Sequence, residues 1–270
     1  MIDLPVANAI WIGPRMGPLH AACLHSFVRA GYRVVLHCYE SPLDTPEGVE
    51  TADARDLLSE ERIIRYRKGG SYSLFSNLFR YEIQRAGLGL YIDCDVYCLE
   101  PLENADYILG WSTNSAIGTA VIKLPRTSPV VESLSNIKDQ RNFLPPWMPA
   151  TKRLRYQALA AIGLGRGLED LPWGTTGPQA LTWYCREHQV TDYARPSDVF
   201  FPMAYYQFER LFDPGLDIAD LTTKRTRFIH LFHEMFRGRD LSTIPAESPA
   251  GQMISAAGDA LRSPKTADAA

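Results

Sequence analysis

A chain of 270 residues, 46% hydrophobic and 22% charged, carries enough apolar material for a sizeable core and excludes wholesale disorder. Its net charge of -3, from 28 basic and 31 acidic residues, argues against a nucleic-acid binder held by bulk electrostatics. No apolar run approaches the roughly 18 residues of a spanning helix. The N-terminus shows no basic segment followed by an apolar stretch, so no secretory leader is expected. Five cysteines, without disulfide or zinc spacing, read as reduced thiols, and the expected location is cytoplasmic.

The first strand is expected over 9–12, stopped by Gly13-Pro14. A helix follows over 18–30, where Leu19, Cys23, Phe27 and Ala30 make a helical stripe closed by Gly31. Residues 32–39 are β-branched and aromatic, a second strand. Strand, helix, strand with short links predicts a βαβ unit and a parallel sheet. Residues 42–50 read as a polar loop, 55–61 as a short helix and 62–66 as a third strand.

The strongest helical pattern spans 71–86 and stops at Gly87, a natural left-handed cap. An apolar strand over 90–92 runs straight into Asp93-Cys94-Asp95. Further strands are expected over 107–111 and 116–124, and helices over 128–137 and 179–188. Residues 140–168 hold Arg141, Lys152, Arg153, Arg155 and Arg166 and no acid, with Phe143, Leu144, Trp147 and Met148 among three prolines. Residues 227–233 form an apolar segment with His230 and His233. From about residue 242 the chain turns to Ser, Ala, Pro and Gly, and the last eight residues are expected to be disordered.

In an extended chain, residues i and i+2 face one side, so Asp93 and Asp95 are expected to point together. They sit at the carboxyl end of a strand, the edge where open α/β sheets bind ligands. Two hard oxygen ligands suit Mn²⁺ or Mg²⁺ bridging to phosphate. Seventeen aspartates in 270 residues make about one D-x-D by chance, so context must carry the motif. Asn77, Arg80 and Gln84 fall at i, i+3 and i+7 and share a helix face that a packed helix could aim at the carboxylates. Arg80 then reads as an anion partner, the alternative being a solvated surface arginine.

The run Ser76-Asn77-Leu78-Phe79-Arg80-Tyr81…Leu88-Gly89-Leu90-Tyr91-Ile92-Asp93-Cys94-Asp95-Val96 resembles the S-D-x-x-R-y…G-G-x-Y-x-D-x-D block of DxD sugar transferases. These are the family 32-like glycosyltransferases, among them polysaccharide-assembly enzymes, α-mannosyltransferases, α-galactosyltransferases and the clostridial glucosylating toxins. Ile10-Trp11-Ile12-Gly13, Gly174-Thr175-Thr176-Gly177-Pro178 and the segment from Ile229 to Phe236 fit the family's outlying blocks in the same order. The resemblance covers about residues 9–240. It implies a single GT-A-like, Rossmann-like α/β domain with a mostly parallel sheet and an acceptor-side extension of helix and loop. Residues 1–125 would form the nucleotide-sugar half, 126–240 the acceptor-side half, and 241–270 a tail.

By resemblance, Asp93, Asp95 and His230 hold the metal and Arg80 assists departure of the diphosphate. Trp11, Asn77, Arg80, Tyr91 and Gly177 lie against the donor. Trp11 would stack on the base; the alternative is a core tryptophan. His230 could equally be structural. Asn77 stands where the family has Asp, and Phe236 where it has Trp, which bears on donor choice.

The implied function is retaining, metal-dependent transfer of a sugar from a UDP- or GDP-sugar to a hydroxyl of a glycan, polysaccharide or lipid-linked acceptor. Two alternatives stand beside it. One is a nucleotide-sugar-binding module without turnover. The other is a haloacid-dehalogenase-type phosphatase, with Asp93 as nucleophile and Asp217 and Asp220 as its late acids. Residues 140–168 read either as an acceptor-side helix and loop with solvated charges or as weak peripheral contact at the inner face of a membrane. The prolines near Trp147 weigh against a continuous amphipathic helix there.

Overall fold

The computed structural model describes residues 2–139 and 142–261. The protein is α/β, built on a mostly parallel five-stranded sheet. Strand β1 (Ala7–Trp11), helix α1 (Gly17–Arg29) and strand β2 (Val34–Cys38) make the expected βαβ unit, with Trp11 in register with Cys38. Asp44 caps α1, its two carboxylate oxygens each accepting an amide hydrogen bond, from Met16 and Gly17, at 2.9 Å.

Strand β3 (Val49–Asp53) extends the sheet beyond β2. It starts inside the stretch expected to be a loop, and no strand forms over 62–66. The reason is position. β3 is an edge strand with three of its five residues exposed, so it carries Glu50 and Asp53 where burial would have demanded apolar residues. Ile63 and Ile64 pack on the core from irregular backbone. The expected helix over 55–61 is two 3₁₀ turns, Ala54–Asp56 and Glu60–Arg62.

Helix α2 (Ser73–Ala86) ends at Gly87 with φ +71°, the expected left-handed cap, and leads to strand β4 (Leu90–Ile92). β4 returns to the far side of β1, giving the order β3-β2-β1-β4. Strand β5 (Val96–Cys98) leaves the sheet. Strands β6 (Leu109–Gly110) and β7 (Val121–Ile122) are shorter than expected, and β7 runs antiparallel beside β4. Helix α3 (Pro129–Ser135) lies along α2. Lys138, beyond its end, pairs with the buried Glu82 of α2 at 2.5 Å.

Helix α4 (Ala150–Ala161) is continuous. The three prolines precede it, and the last of them, Pro149, is its N-cap. Helix α5 (Ala180–Glu187), strand β8 (Ala194–Arg195) beside β6, and the single turn α6 (Ser197–Phe200) follow. Strand β9 (Phe228–His230) pairs antiparallel with β5. Helix α7 (Pro249–Ala257) lies in the stretch that composition reads as a tail. Its Ala250 and Met253 are fully buried in one cluster with Leu19 and Cys23 of α1. The last eight residues fall outside the described ones.

Alternation along the central strands sorts the core. Leu90 and Ile92 pack with Ala7, Ala9, Leu36 and Phe27 on the α1 side, while Tyr91 joins Ile10, Phe75 and Phe79 on the α2 side. All five cysteines are buried as thiols. Among the described residues, no helix is long and apolar enough to cross a membrane.

Gly89 opens β4 at φ +116°, where an added Cβ would lie 2.6 Å from the Val6 carbonyl oxygen. That oxygen already accepts the Leu90 amide at 2.9 Å, so the backbone cannot retreat without breaking the β1–β4 junction. Gly89→Ala is therefore expected to cost about 2–4 kcal/mol, from steric strain and a forbidden φ. Chemical denaturation of the two proteins measures it; equal midpoints would refute the close approach.

Candidate metal centre

β1 leads one way to β2, and the chain returns after α2 to place β4 on β1's other side. The carboxyl edge between β1 and β4 is thus the point where the sheet's winding reverses, the usual ligand position in open α/β sheets. Trp11 ends β1 there, and Asp93 follows β4 directly.

Asp93 and Asp95 do converge, but through a turn and not an extended strand. The Val96 amide donates to the Asp93 carbonyl at 3.1 Å, closing a four-residue turn between β4 and β5. β5 then pairs with β9, and Val96 stands opposite His230. The ligand atoms of Asp93, Asp95 and His230 all fall within 4.8 Å of one another.

Each carboxylate has its own brace. Asp93 Oδ1 accepts from Arg80 Nη2 at 2.8 Å and from the Tyr91 hydroxyl at 2.9 Å. Arg80 is buried, and its Nη1 donates to the Thr119 carbonyl at 2.8 Å and its Nε to the Ser76 carbonyl at 3.2 Å. Its guanidinium lies over the Tyr91 ring, 4.8 Å from the centroid. Arg80 and Tyr91 therefore act on the centre through Asp93.

Asp95 Oδ2 faces His230 Nε2 at 3.3 Å and accepts the His233 amide at 2.8 Å. That amide is brought round by Phe232, a non-glycine residue at φ +57°. The His230 segment is strand and then left-handed turn, so His233 is not one helical turn from His230. His230 Nδ1 is buried without a hydrogen-bond partner.

Burial raises the Asp93 pKa above the usual carboxylate range, with Asp95 adding to it and Arg80 opposing. Burial also works against Asp95, but His230 and the His233 amide outweigh it and hold this carboxyl well below the usual range. For His230, burial lowers the pKa and the two aspartates reverse it, so it stays protonated above the ordinary imidazole value.

Two features escaped the sequence reading. His20 of α1 is buried, its Nδ1 2.9 Å from the Met16 carbonyl and its Nε2 2.5 Å from His233 Nδ1. Burial and the neighbouring His233 lower its pKa to about 4. A neutral His20 must donate from Nδ1 to the carbonyl, so its Nε2 accepts and His233 donates from Nδ1. Nothing in the α1 pattern singles this histidine out. The second feature is a polar cleft of about 200 Å³ at the carboxyl ends of β2 and β3, lined by Cys38, Tyr39, Ser41, Thr51, Ala52 and Asp53. It adjoins Trp11 through the Trp11–Cys38 register. The carboxyl-edge rule could have marked it, had β3 been recognised as a strand.

Trp11 is half-buried, its Nε1 donating to the Arg15 carbonyl at 3.2 Å and its ring 5.1 Å from that of His20. Asn77 is buried and donates to Thr176 Oγ1 at 3.2 Å. Gly177 lies so close that a Cβ there would sit 2.8 Å from the Asn77 amide. Gln84 does not face the carboxylates. It ties the sheet, accepting the Leu124 amide at 2.7 Å and donating to the Gly89 carbonyl at 3.2 Å. Asp217 and Asp220 hydrogen-bond each other's backbone in an exposed turn of their own.

Compared with known proteins, the chain matches no family model and no curated protein.

The donor set of two carboxylates and one imidazole suits Mn²⁺ or Mg²⁺, and His230 Nε2 facing the closely held acids fits a cation among them. A metal needs His230 neutral. The raised His230 pKa gives stability that is full below the ordinary imidazole value and lost as pH rises through the raised one. The lowered Asp95 pKa gives stability that is full above the ordinary carboxylate value and lost as pH falls through the lowered one. The pair is therefore strongest in mildly acidic solution, where metal must displace a proton. Mn²⁺ binding is expected to tighten, with proton release, as pH rises from the ordinary imidazole value through the raised one. Calorimetry in buffers of different ionisation enthalpy measures this; a pH-independent affinity without proton release would contradict it.

Arg80→Lys replaces a fork serving three acceptors with a point charge. It is expected to lower Mn²⁺ affinity about 10–100-fold, as loss of a group that orients a ligand does. Unchanged affinity in the same titration would show that Asp93 needs no brace.

Proposed function

We propose that this protein is a divalent-metal-dependent glycosyltransferase with a GT-A-like domain, moving a sugar from a UDP- or GDP-sugar to an acceptor hydroxyl with retention of configuration. The observation that carries the reading is the convergence of Asp93, Asp95 and His230 at the winding reversal between β1 and β4, beside Trp11. The S-N-x-x-R…Y-x-D-x-D block supports it, because α2 sets Arg80 on the first aspartate of the motif.

Asp93, Asp95 and His230 would hold the metal, which when bound neutralises negative charge on the departing diphosphate. The chain's own residues do the rest. Arg80 and Tyr91 fix the rotamer of Asp93, so its free oxygen is presented without reorganisation. The His233 amide fixes Asp95 in the same way. Trp11 offers a flat ring at the end of β1, next to the polar cleft at the ends of β2 and β3, a setting suited to base and ribose. Asn77, held by Thr176 and pressed against Gly177, shapes the donor-sugar side. The glycan, polysaccharide or lipid-linked acceptor would approach from the half that carries α4 and α5.

The phosphatase reading loses ground here. Asp93 Oδ1 is committed to Arg80 and Tyr91, and Asp217 and Asp220 are engaged with each other.

Release of free sugar from a panel of UDP- and GDP-sugars, with Mn²⁺ and without acceptor, tests the proposal. Turnover with one donor, abolished by chelation, is expected. Asp93→Asn and Asp95→Asn should each lower it about 10³-fold or more. Each variant should also melt earlier, because it leaves Arg80 or His230 without its anionic partner, so turnover is compared at a temperature where circular dichroism shows both variants folded. Binding of a nucleotide sugar without any release would favour a non-catalytic module.

A further inference from the structure

Helix α4 presents an apolar stripe that nothing among the described residues covers. None of its twelve residues is buried. Leu154 and Ile162, each 69% exposed, are eight residues apart with Ala158 between them, so all three share one helical face. Leu164, 62% exposed, continues the stripe past the helix end. The half-buried side is the other one, with Arg153, Tyr156, Leu159 and Ala160. A surface helix ordinarily turns its large aliphatics inward; here only Leu159 does, while Leu154 and Ile162 face out.

The charge around the stripe has one sign. Lys152, Arg155 and Arg166 are exposed, and no acid occurs between 140 and 168. The next acids, Glu169 and Asp170, are both taken by Arg67, at 3.3 and 2.8 Å. The segment is also anchored to the body. Trp147 Nε1 donates to Gln179 Oε1 at 3.2 Å. Within the segment, Arg166 donates to the Tyr156 hydroxyl at 3.0 Å with its guanidinium over that ring.

We infer that this face docks on an anionic lipid bilayer, with α4 in the plane of the interface. Leu154, Ile162 and Leu164 enter the boundary between head groups and chains, and Lys152 and Arg155 reach the phosphates. A soluble polyanion would match the cations but give the aliphatics nothing to enter, so the combination fits a bilayer. The inference does not depend on the proposed chemistry.

The test is sedimentation of the full chain with vesicles of phosphatidylcholine alone or mixed with phosphatidylglycerol. Pelleting is expected only with the anionic vesicles. It should fall as the screening length shortens from about 30 Å at 0.01 M salt to about 8 Å at 0.15 M. Lys152→Glu with Arg155→Glu should weaken partitioning about 30-fold or more. Leu154→Asn with Ile162→Asn should weaken it about 10-fold or more at unchanged charge. These side chains are exposed, so thermal unfolding should not move. No pelleting at low salt, or equal pelleting with neutral vesicles, would overturn the inference. So would variants that partition like the wild type, or an asparagine variant that loses nothing while heparin strips the wild type from vesicles.

Discussion

Two carboxylates held side by side where water is scarce repel one another, and the centre of this protein is arranged around that repulsion. Arg80 and the Tyr91 hydroxyl meet Asp93 from one side, and His230 and the His233 amide meet Asp95 from the other. The two acids consequently differ. Burial dominates at Asp93 and its pKa rises, while the imidazole and the amide dominate at Asp95 and its pKa falls. A buried charge is tolerated only when paired and hydrogen-bonded. The burial of Arg80, the engagement of all three of its nitrogens and the cation–π contact with Tyr91 all follow from that requirement.

The fold brings these groups together with few parts. Reversal of winding between β1 and β4 opens the sheet edge, α2 lies across it with Arg80 turned toward Asp93, and β9 closes it from the far end of the chain. His20 joins α1 to the same point by holding the ring of His233, whose backbone caps Asp95. Four elements distant in sequence therefore converge on two side chains.

Much of this was legible in the sequence, for identifiable reasons. The βαβ start, the 73–86 helix with its Gly87 cap and the strand into Asp93 carry strong periodicity and unambiguous stops. Arg80 stood out by sharing a helix face with Asn77 shortly before the D-x-D, and His230 by the family resemblance. β3 was hidden because an edge strand needs no apolar run, and Ile63-Ile64 misled because apolar residues also pack from irregular backbone. The turn joining Asp93 to Asp95 was hidden because i, i+2 spacing looks the same in a strand. The His20–His233 contact spans 213 positions and leaves no local trace. α4 was discounted because prolines close to a helix in sequence read as breakers, although here they only precede it.

The β5–β9 pairing has a consequence for how such a protein can vary. Val96 and His230 are opposite one another in an antiparallel ladder, so the distance from Asp95 to His230 is set by strand spacing and register. A slip of one residue would turn His230 to the opposite face, which makes that register intolerant of change. The 129 residues between Cys98 and Phe228 do not enter that ladder, although their early part, β7 and the Thr119 and Ala120 carbonyls, is tied to β4, Arg80 and Asp93. Loop closure grows dearer only slowly with length. Exposed loops of that excursion, such as the one after α4, can change length while the three ligands keep their spacing, whereas β7 beside β4 and the Thr119 carbonyl on Arg80 belong to the part that must stay still.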